Sequence, residues 1–317
     1  MSNSKFPTTG SWRGYRDFLF IRRAAAAAIL GSLLLLGCSA GTLSPQVPAK
    51  PNELRLATYN IHYLDLSLGG RLEWGPLNWE NRRDALNSVI KSLDADLIAF
   101  QEMETYEGAD PSQRNDQKDW ILDRNQEYAV AAFGTPPNFP NTQPIFYRRA
   151  KFRLIDEGFD FFSPGNGQIS SISRFAGYPD AVTWARFVDR SSGRRFRVFN
   201  IHLHFLNARQ RQRSASQVAG MVDAVRQSGD ALFVLGDLNA GPNSQTGEIL
   251  KSGGLEIVES RGSTFHLNVG LNITSPIDHL LHSQNASPVG PARIVRDRPG
   301  RIWPSDHYPV VADFILN

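Results

Sequence analysis

The chain has 317 residues, enough for one large domain or two ordinary ones, and its 41% hydrophobic and 21% charged residues predict a sizeable core. A single cysteine, Cys38, excludes an internal disulfide and a thiolate metal site. The net charge of +3 gives no argument for a polyanion partner: the first 37 residues hold Lys5, Arg13, Arg16, Arg22 and Arg23 against Asp17 alone, and without them the charge is about −1.

Basic residues up to Arg22-Arg23 precede Ala24–Gly37, a run of small and apolar side chains. A membrane span needs roughly 20 such residues, so this shorter run predicts the hydrophobic region of a secretory signal. It ends in Leu35-Leu36-Gly37-Cys38, which resembles the lipobox of bacterial lipoproteins. That resemblance implies cleavage before Cys38, acylation of its thiol, and a lipid-anchored location at the outer membrane or cell surface. A plain export signal is the alternative, and Arg22-Arg23 faintly resembles a twin-arginine signal. The expected division is a signal over 1–37, a flexible tether over 38–51 and one domain over 52–317.

Within that domain, Glu53–Asn60 alternates Leu54 and Leu56 with Arg55 and Ala57 and predicts a strand. Trp79–Leu93 places Leu86, Val89, Ile90 and Leu93 at helical spacing, and Leu97–Phe100 is a short buried-strand candidate. Further strands are predicted at Pro144–Arg148, Phe152–Asp156, Ala181–Asp189 and Phe196–His202. A long helix is expected around Asn207–Gln227, burying Ala215, Val218, Val222 and Val225. Strands recur at Ala231–Leu235, Ile277–Leu281 and Tyr308–Ile315. Glu104–Trp120 and Gly134–Gln143 read as loops that shape a site. Many strands with irregularly spaced helices argue for stacked sheets covered by helices.

Polar residues of metal-ligand or acid–base type recur where apolar strands end: Asn60 in ATYNIHY, Glu102 in AFQEME, His202 in FNIHLHF, Asp237 and Asn239 in LGDLNA, Asp306 and His307 in PSDHYPV. One such group is an ordinary turn residue. Five in succession call for a shared role, because an unpaired carboxylate or imidazole at the end of a buried strand is costly.

These motifs, with DADLIAFQE, SPIDHLL, the WENRRDAL helix, PIFYRR and AVTWARFVD, resemble the endonuclease/exonuclease/phosphatase (deoxyribonuclease-like) family across residues 53–317. The resemblance implies a four-layer α/β/β/α sandwich of two mainly antiparallel sheets flanked by helices. It implies a metal-dependent hydrolase of phosphate esters that uses magnesium, with manganese as the alternative. The implied ligands are Glu102, Asp306 and Asn60, hard oxygen donors suited to such an ion. Asp237 would orient or deprotonate the attacking water, Asn239 would bond the phosphate, and Asp278 would pair with His307. His202 would sit near the leaving or phosphoryl oxygen. Asn60, Tyr147 and Arg186 are candidate substrate contacts.

His62, His204, His266 and His282 read as packing or surface residues. The sequence also departs from the family pattern. Leu238 stands where phenylalanine is common, His279 where tyrosine is usual, and Ala176–Asp180 lacks the arginine of nuclease members, a role Arg174 or Arg186 would have to take.

The substrate expectation is a phosphate ester, whether nucleic acid, phospholipid head group or small phosphate ester, with nucleic acid slightly favoured because Arg148-Arg149-Lys151-Arg153 and Arg293-Arg296-Arg298-Arg301 can follow a backbone. A sphingomyelinase-like phospholipid phosphodiesterase is the alternative, since the anchor fixes the enzyme near membrane. A catalytically inactive envelope binding module is the rival from another class. No protein partner is evident in the sequence.

Overall fold

In chain order the elements are β1 (Leu54–Asn60), β2 (Leu64–Asp65), α1 (Trp79–Leu93), β3 (Leu97–Gln101), β4 (Thr105–Tyr106), α2 (Asp116–Arg124), β5 (Tyr128–Ala131), β6 (Ile145–Arg148), β7 (Phe152–Phe161) and β8 (Ala181–Asp189). They continue with β9 (Arg195–His202), α3 (Ala208–Val225), β10 (Ala231–Asp237), α4 (Gln245–Ser252), β11 (Glu256–Ile257), β12 (Asp278–His282), β13 (Ala286–Pro288), β14 (Arg293–Ile294) and β15 (Val310–Leu316). This computed structural model describes residues 43–44, 48–50, 52–65, 79–103, 105–106, 115–133, 142–162 and 181–317. The expected signal, Cys38, most of the tether, Arg174 and Ala176–Asp180 lie outside the described residues.

The strands form two large sheets, one ordered β13-β15-β1-β3-β6-β5 with β14 also on β15, the other ordered β11-β12-β10-β9-β8-β7. Side-chain alternation along each strand assigns residues to layers. Leu54 and Leu56 meet Phe196, Phe233 and Leu280 between the sheets. Ala57 and Tyr59, one residue out of phase, pack under Leu86, Val89, Ile90 and Leu93 of α1. On the other side Phe199, Ile201, Leu232 and Val234 meet Ala215, Val218 and Val222 of α3 and Leu250 of α4. The result is the expected four-layer sandwich, with each fully buried leucine or phenylalanine contributing about 1.5–3 kcal/mol.

Every residue of β1 is buried, so its alternation separates two cores and not core from solvent. Arg55 tolerates this because its Nε lies 2.6 Å from Asp313 Oδ1, while its backbone N–H donates to Asp96 Oδ2 at 2.8 Å. Two buried amides fix the sheets to each other: Gln101 Nε2 donates to Asn200 Oδ1 at 2.7 Å, and Asn200 Nδ2 donates to the Phe100 carbonyl at 2.8 Å.

The expected loop Glu104–Trp120 contains the start of α2, capped by Asn115, whose side chain accepts from the Lys118 N–H. Within α2 only Gln117 and Ile121 are buried, too little to leave an apolar stripe in the sequence. β7 runs five residues past its predicted end because β8 pairs with it along its whole length. In α3 the buried stripe is Ser214, Ala215, Val218 and Val222; Val225 is only partly covered.

Candidate active site

Each sheet contains one parallel pair, β1 with β3 and β9 with β10. Their carboxyl ends therefore lie together: Asn60 closes β1, Glu102 follows β3, His202 closes β9 and Asp237 closes β10. The antiparallel neighbours start at the same edge. Asp278 opens β12 directly opposite Asp237, and Asp306 and His307 precede β15, which pairs with β1.

Asn60 joins the two sheets. Its buried Nδ2 donates to Glu102 Oε1 at 3.0 Å and to Asp237 Oδ2 at 3.2 Å, while its Oδ1 accepts the His62 N–H at 3.1 Å. The Tyr63 N–H donates to Glu102 Oε2 at 3.2 Å. Ser305 Oγ donates to the Asn60 carbonyl at 2.8 Å and accepts the His307 N–H at 3.1 Å, which ties the Asp306 loop to β1. His62, Glu102 and Asn239 adopt left-handed backbone conformations with φ of 61°, 57° and 47°. Such positions are strained for residues other than glycine and persist where the surroundings hold them.

His307 Nδ1 lies 2.9 Å from Asp278 Oδ2, and its Nε2 lies 3.7 Å from Asp237 Oδ2. Burial opposes a charged imidazole here, but Asp278 and Asp237 outweigh it and raise the His307 pKa well above the ordinary histidine value. Burial and the charge of Asp278 push the Asp237 carboxyl up to about 6, against the opposing effect of His307, His202 and the Asn239 N–H. His202 Nε2 lies 3.7 Å from Asp237 Oδ2 and 3.8 Å from Glu102 Oε1. On the other side, His62 Nδ1 is 3.5 Å from Asp306 Oδ1 and 3.9 Å from Glu102 Oε2. Burial works against ionisation of Asp306, yet His62 and His307 outweigh it and hold its pKa below the carboxylate range.

The structure thus brings together Asn60, Glu102, His202, Asp237, Asp278, Asp306 and His307. Asn239 adjoins them; its N–H donates to Asp237 Oδ1 at 2.7 Å, and its Nδ2 donates to the Leu203 carbonyl at 2.8 Å.

Two expected substrate contacts are not brought there, which corrects the sequence expectation. Tyr147 pairs with Leu97 at the opposite end of β3 from Glu102 and packs on Phe187 with ring centres 4.9 Å apart. Arg186 binds Asp230, which precedes β10, with Nε 2.6 Å from Oδ2, at the opposite end of that strand from Asp237. The basic run Arg148–Arg153 shares the remote end, where Arg148 meets Asp94 and Lys151 meets Asp96, both at 2.6 Å. Arg296, Arg298 and Arg301 instead follow β14 towards the site end, where Arg298 lies 4.4 Å from the Trp303 ring.

His279 faces away from His307: its Nε2 meets the Ala240 carbonyl at 3.0 Å, and its ring lines a separate cleft of ≈ 530 Å³ with Leu255, Ile257 and Val258. His204 Nδ1 accepts the Leu206 and Asn207 N–H groups, and His266 stacks 4.0 Å from Tyr308. Only His62 among the histidines read as packing residues enters the site. Its place two residues beyond Asn60 is the one sequence signal for it.

Of the residues that the resemblance implies for a divalent ion, Glu102 and Asp306 would offer carboxylate oxygens of the hard type such an ion takes, whereas Asn60 turns its Nδ2 to Glu102 and its Oδ1 to the His62 N–H. Asp237, Asp278 and His307 also bring ligand atoms within 4.8 Å of one another. That trio is the poorer fit, because His307 Nδ1 is taken by Asp278 and the protonated ring offers no lone pair.

No curated protein matches the chain in a sequence comparison. Among solved structures it is similar to an endonuclease/exonuclease/phosphatase from Bacteroides vulgatus, with TM-score 0.68 and 21% identity over 84% of this chain and 99% of that one. It is similar to the Bacteroides thetaiotaomicron mannosyl-6-phosphatase Bt3783, with TM-score 0.66 and 20% identity over 83% and 100%. It is also similar to D. rerio TDP2 complexed with a single-strand DNA product, with TM-score 0.58 and 14% identity over 83% and 98%. At these identities the likeness is one of fold. A sequence model of the endonuclease/exonuclease/phosphatase family, whose members are hydrolases of phosphoester bonds and generally depend on a divalent metal, matches residues 57–307, and the chain belongs to that family.

Proposed function

We propose that the protein hydrolyses phosphate esters at the cell envelope with magnesium or manganese. The observation that carries this reading is the convergence of seven acid, base and amide side chains at one sheet edge, with a cationic His307 between Asp278 and Asp237. Asp278 holds the His307 ring, so that its Nε2–H is directed to a phosphoryl oxygen and opposes the charge that develops there. Asp237, ionised at neutral pH with a pKa raised towards it, accepts the proton of the attacking water. The water oxygen bonds to phosphorus as the ester oxygen departs, and His202 lies where it can donate to the phosphoryl or leaving oxygen. Glu102 and Asp306, with Asn60 beside them, would hold the divalent ion, which when bound would supply positive charge to offset that of the phosphate. Glu102, Asn60 and Asp237 form one bonded unit, so a shift in any of them misplaces the others.

The surroundings of the site favour a phospholipid head group over nucleic acid. Among the described residues eleven large hydrophobic side chains are exposed, and seven of them are on segments leaving the site: Tyr63, Phe205, Leu206, Leu267, Val269, Ile273 and Ile302. Phe205 and Leu206 follow His202, and Leu267 and Val269 follow Phe265, which bridges His307. An apolar rim of this kind meets a lipid surface better than a hydrated polyanion. The basic run that had favoured nucleic acid lies at the remote end, where Arg148 and Lys151 are ion-paired, whereas Arg296, Arg298 and Arg301 beside the rim suit an anionic head group. No helix among the described residues is long and apolar enough to cross a membrane. Lipidated Cys38 and the rim supply the membrane contact in this reading.

The test is hydrolysis by the full-length protein with magnesium or manganese. Substrates are mixed phospholipid vesicles containing sphingomyelin, single-stranded and duplex DNA, RNA, inositol phosphates and a generic phosphodiester. Head-group release from vesicles should exceed the rest. Faster cleavage of nucleic acid overturns the lipid reading, and no hydrolysis of any substrate overturns the phosphoesterase.

A further inference from the structure

The chain that leads to Cys38 meets the domain at both of its ends. β1 starts at the end remote from the active site, where the Glu53 N–H donates to the Lys50 carbonyl at 2.9 Å and Lys151 Nζ donates to the Glu53 carbonyl at 2.7 Å. Ser44, six residues before Lys50, is bonded at the other end. Its N–H and its Oγ both donate to Asp297 Oδ1, at 3.0 and 2.6 Å. β14 runs beside Val310 and Val311, the Val295 N–H donates to the Pro309 carbonyl at 3.0 Å, and Asp297 lies two residues further towards the His307 edge.

Asp297 is only 6% exposed, and its Oδ2 is buried with no hydrogen-bond partner among the described residues. A carboxylate so placed is costly unless it is bonded, so the two Ser44 donors stabilise Asp297 and Asp297 in turn fixes the chain. The clasp adjoins the apolar rim. Arg298, the next residue, lies 4.4 Å from the Trp303 ring, and that ring packs 4.6 Å from His266, which precedes exposed Leu267 and Val269.

Six residues of chain join Ser44 to Cys38, a span of at most about 22 Å at roughly 3.6 Å per residue. An anchor arm released at Lys50 would leave the active site free to face away from the bilayer. One released at Ser44 starts from the site edge, beside Arg296 and Arg298, whose charge suits anionic lipid. We infer that Asp297 docks the anchor arm and so turns the active-site edge, with its apolar rim, onto the bilayer that holds Cys38. The inference rests on the lipid-anchored reading above and adds to it the device that orients the domain.

The test places a nitroxide at either end of the full-length protein, bound to vesicles of phosphatidylcholine and phosphatidylglycerol. Cys38 is the only cysteine of the chain, so once it is acylated Val269→Cys or Val289→Cys supplies the one free thiol. Val269 is 66% exposed on the rim. Val289 is 48% exposed at the remote end, where its N–H donates to the carbonyl of Asp313, the partner of Arg55. The ratio of oxygen to water-soluble nickel relaxation should be at least about threefold higher for the label at 269 than for that at 289, because an apolar face sinks into the headgroup boundary. Ser44→Pro removes both donors at an exposed position, and Asp297→Ala removes the acceptor. Each should bring the label at 269 to within about twofold of that at 289 while the protein stays on the vesicles. Both labels in water without either change, or a label at 269 that stays in lipid in Ser44→Pro, overturns the clasp and leaves the anchored phosphoesterase standing. A protein that does not stay on the vesicles overturns the anchor and the clasp with it.

Discussion

His307 Nδ1 lies 2.9 Å from Asp278 Oδ2, and the two groups are joined only through the fold, since Asp278 opens β12 and His307 precedes β15. Asp278→Asn keeps the shape and removes the charge, so the His307 pKa should fall. In the proposed mechanism His307 works as a cation, so the alkaline limb of the rate profile should move to lower pH. The acid limb belongs to Asp237, which must be ionised, and should lie no higher than about 6. Each of Asp278→Asn and His307→Ala should lose on the order of 100-fold in kcat, and the double variant little more. Losses that multiply, with an unmoved alkaline limb, show Asp278 to be structural.

Hydrolysis should cease when the ion is stripped. Removal of metal with EDTA should lower kcat to the uncatalysed background, and Mn2+ or Mg2+ should restore it. Glu102→Gln should lose on the order of 100-fold or more and gain little from added ion. Undiminished turnover after thorough chelation would falsify the metal mechanism.

Arg82 braces the loops of His62 and Asp306 from within the core. Arg82→Met fills much of the same volume but leaves the carbonyls of Ile61, His62 and Pro304 without this donor. The His62 carbonyl keeps Gln117 as a donor, while the buried Ile61 and Pro304 carbonyls each cost about 1–3 kcal/mol when left unpaired, so urea unfolding should show a loss of about 2–6 kcal/mol. A loss below about 1 kcal/mol means the loops find other donors and the brace is dispensable.

Much of this arrangement is legible in the sequence because β1, β3, β9 and β10 are apolar runs that stop at a polar side chain. Asn60, Glu102, His202 and Asp237 are therefore visible as strand ends before any contact is known. The long helices are legible too, since Leu86, Val89, Ile90 and Leu93 keep helical spacing. What the sequence leaves open is which end of a strand faces the site. Tyr147 and Arg186 look as eligible as Asn60, but β6 runs antiparallel to β3, and Arg186 lies on β8, antiparallel to β9, beside Asp230 at the start of β10. His62 stays hidden for another reason: its position depends on a positive φ and on Arg82, Gln117 and Asp306, contacts that span up to 244 residues of the chain.

If Cys38 carries the anchor, the full-length protein should sediment with membranes and take up an alkyne analogue of palmitate. Cys38→Ala should remain unprocessed at that position and unlabelled. Equal labelling of both proteins, or of neither, removes the lipid anchor and leaves export untouched.

The apolar rim separates lipid from soluble substrates in a single variant. Phe205 is 59% exposed and Leu206 76% exposed, so neither holds the core together, and Phe205→Ser with Leu206→Ser should leave the unfolding midpoint unchanged. Burying two such side chains in a bilayer is worth about 1.5–3 kcal/mol each, so their loss should weaken vesicle binding by at least about tenfold. Hydrolysis of vesicle lipid should fall with it, while hydrolysis of a soluble phosphodiester should hold within about twofold, because His202 and Asp237 are untouched. Equal losses on both substrates mean that the loop acts on the catalytic groups and not on a lipid surface. No loss on either means that the rim has no part in binding, and the preference for a phospholipid then loses its support.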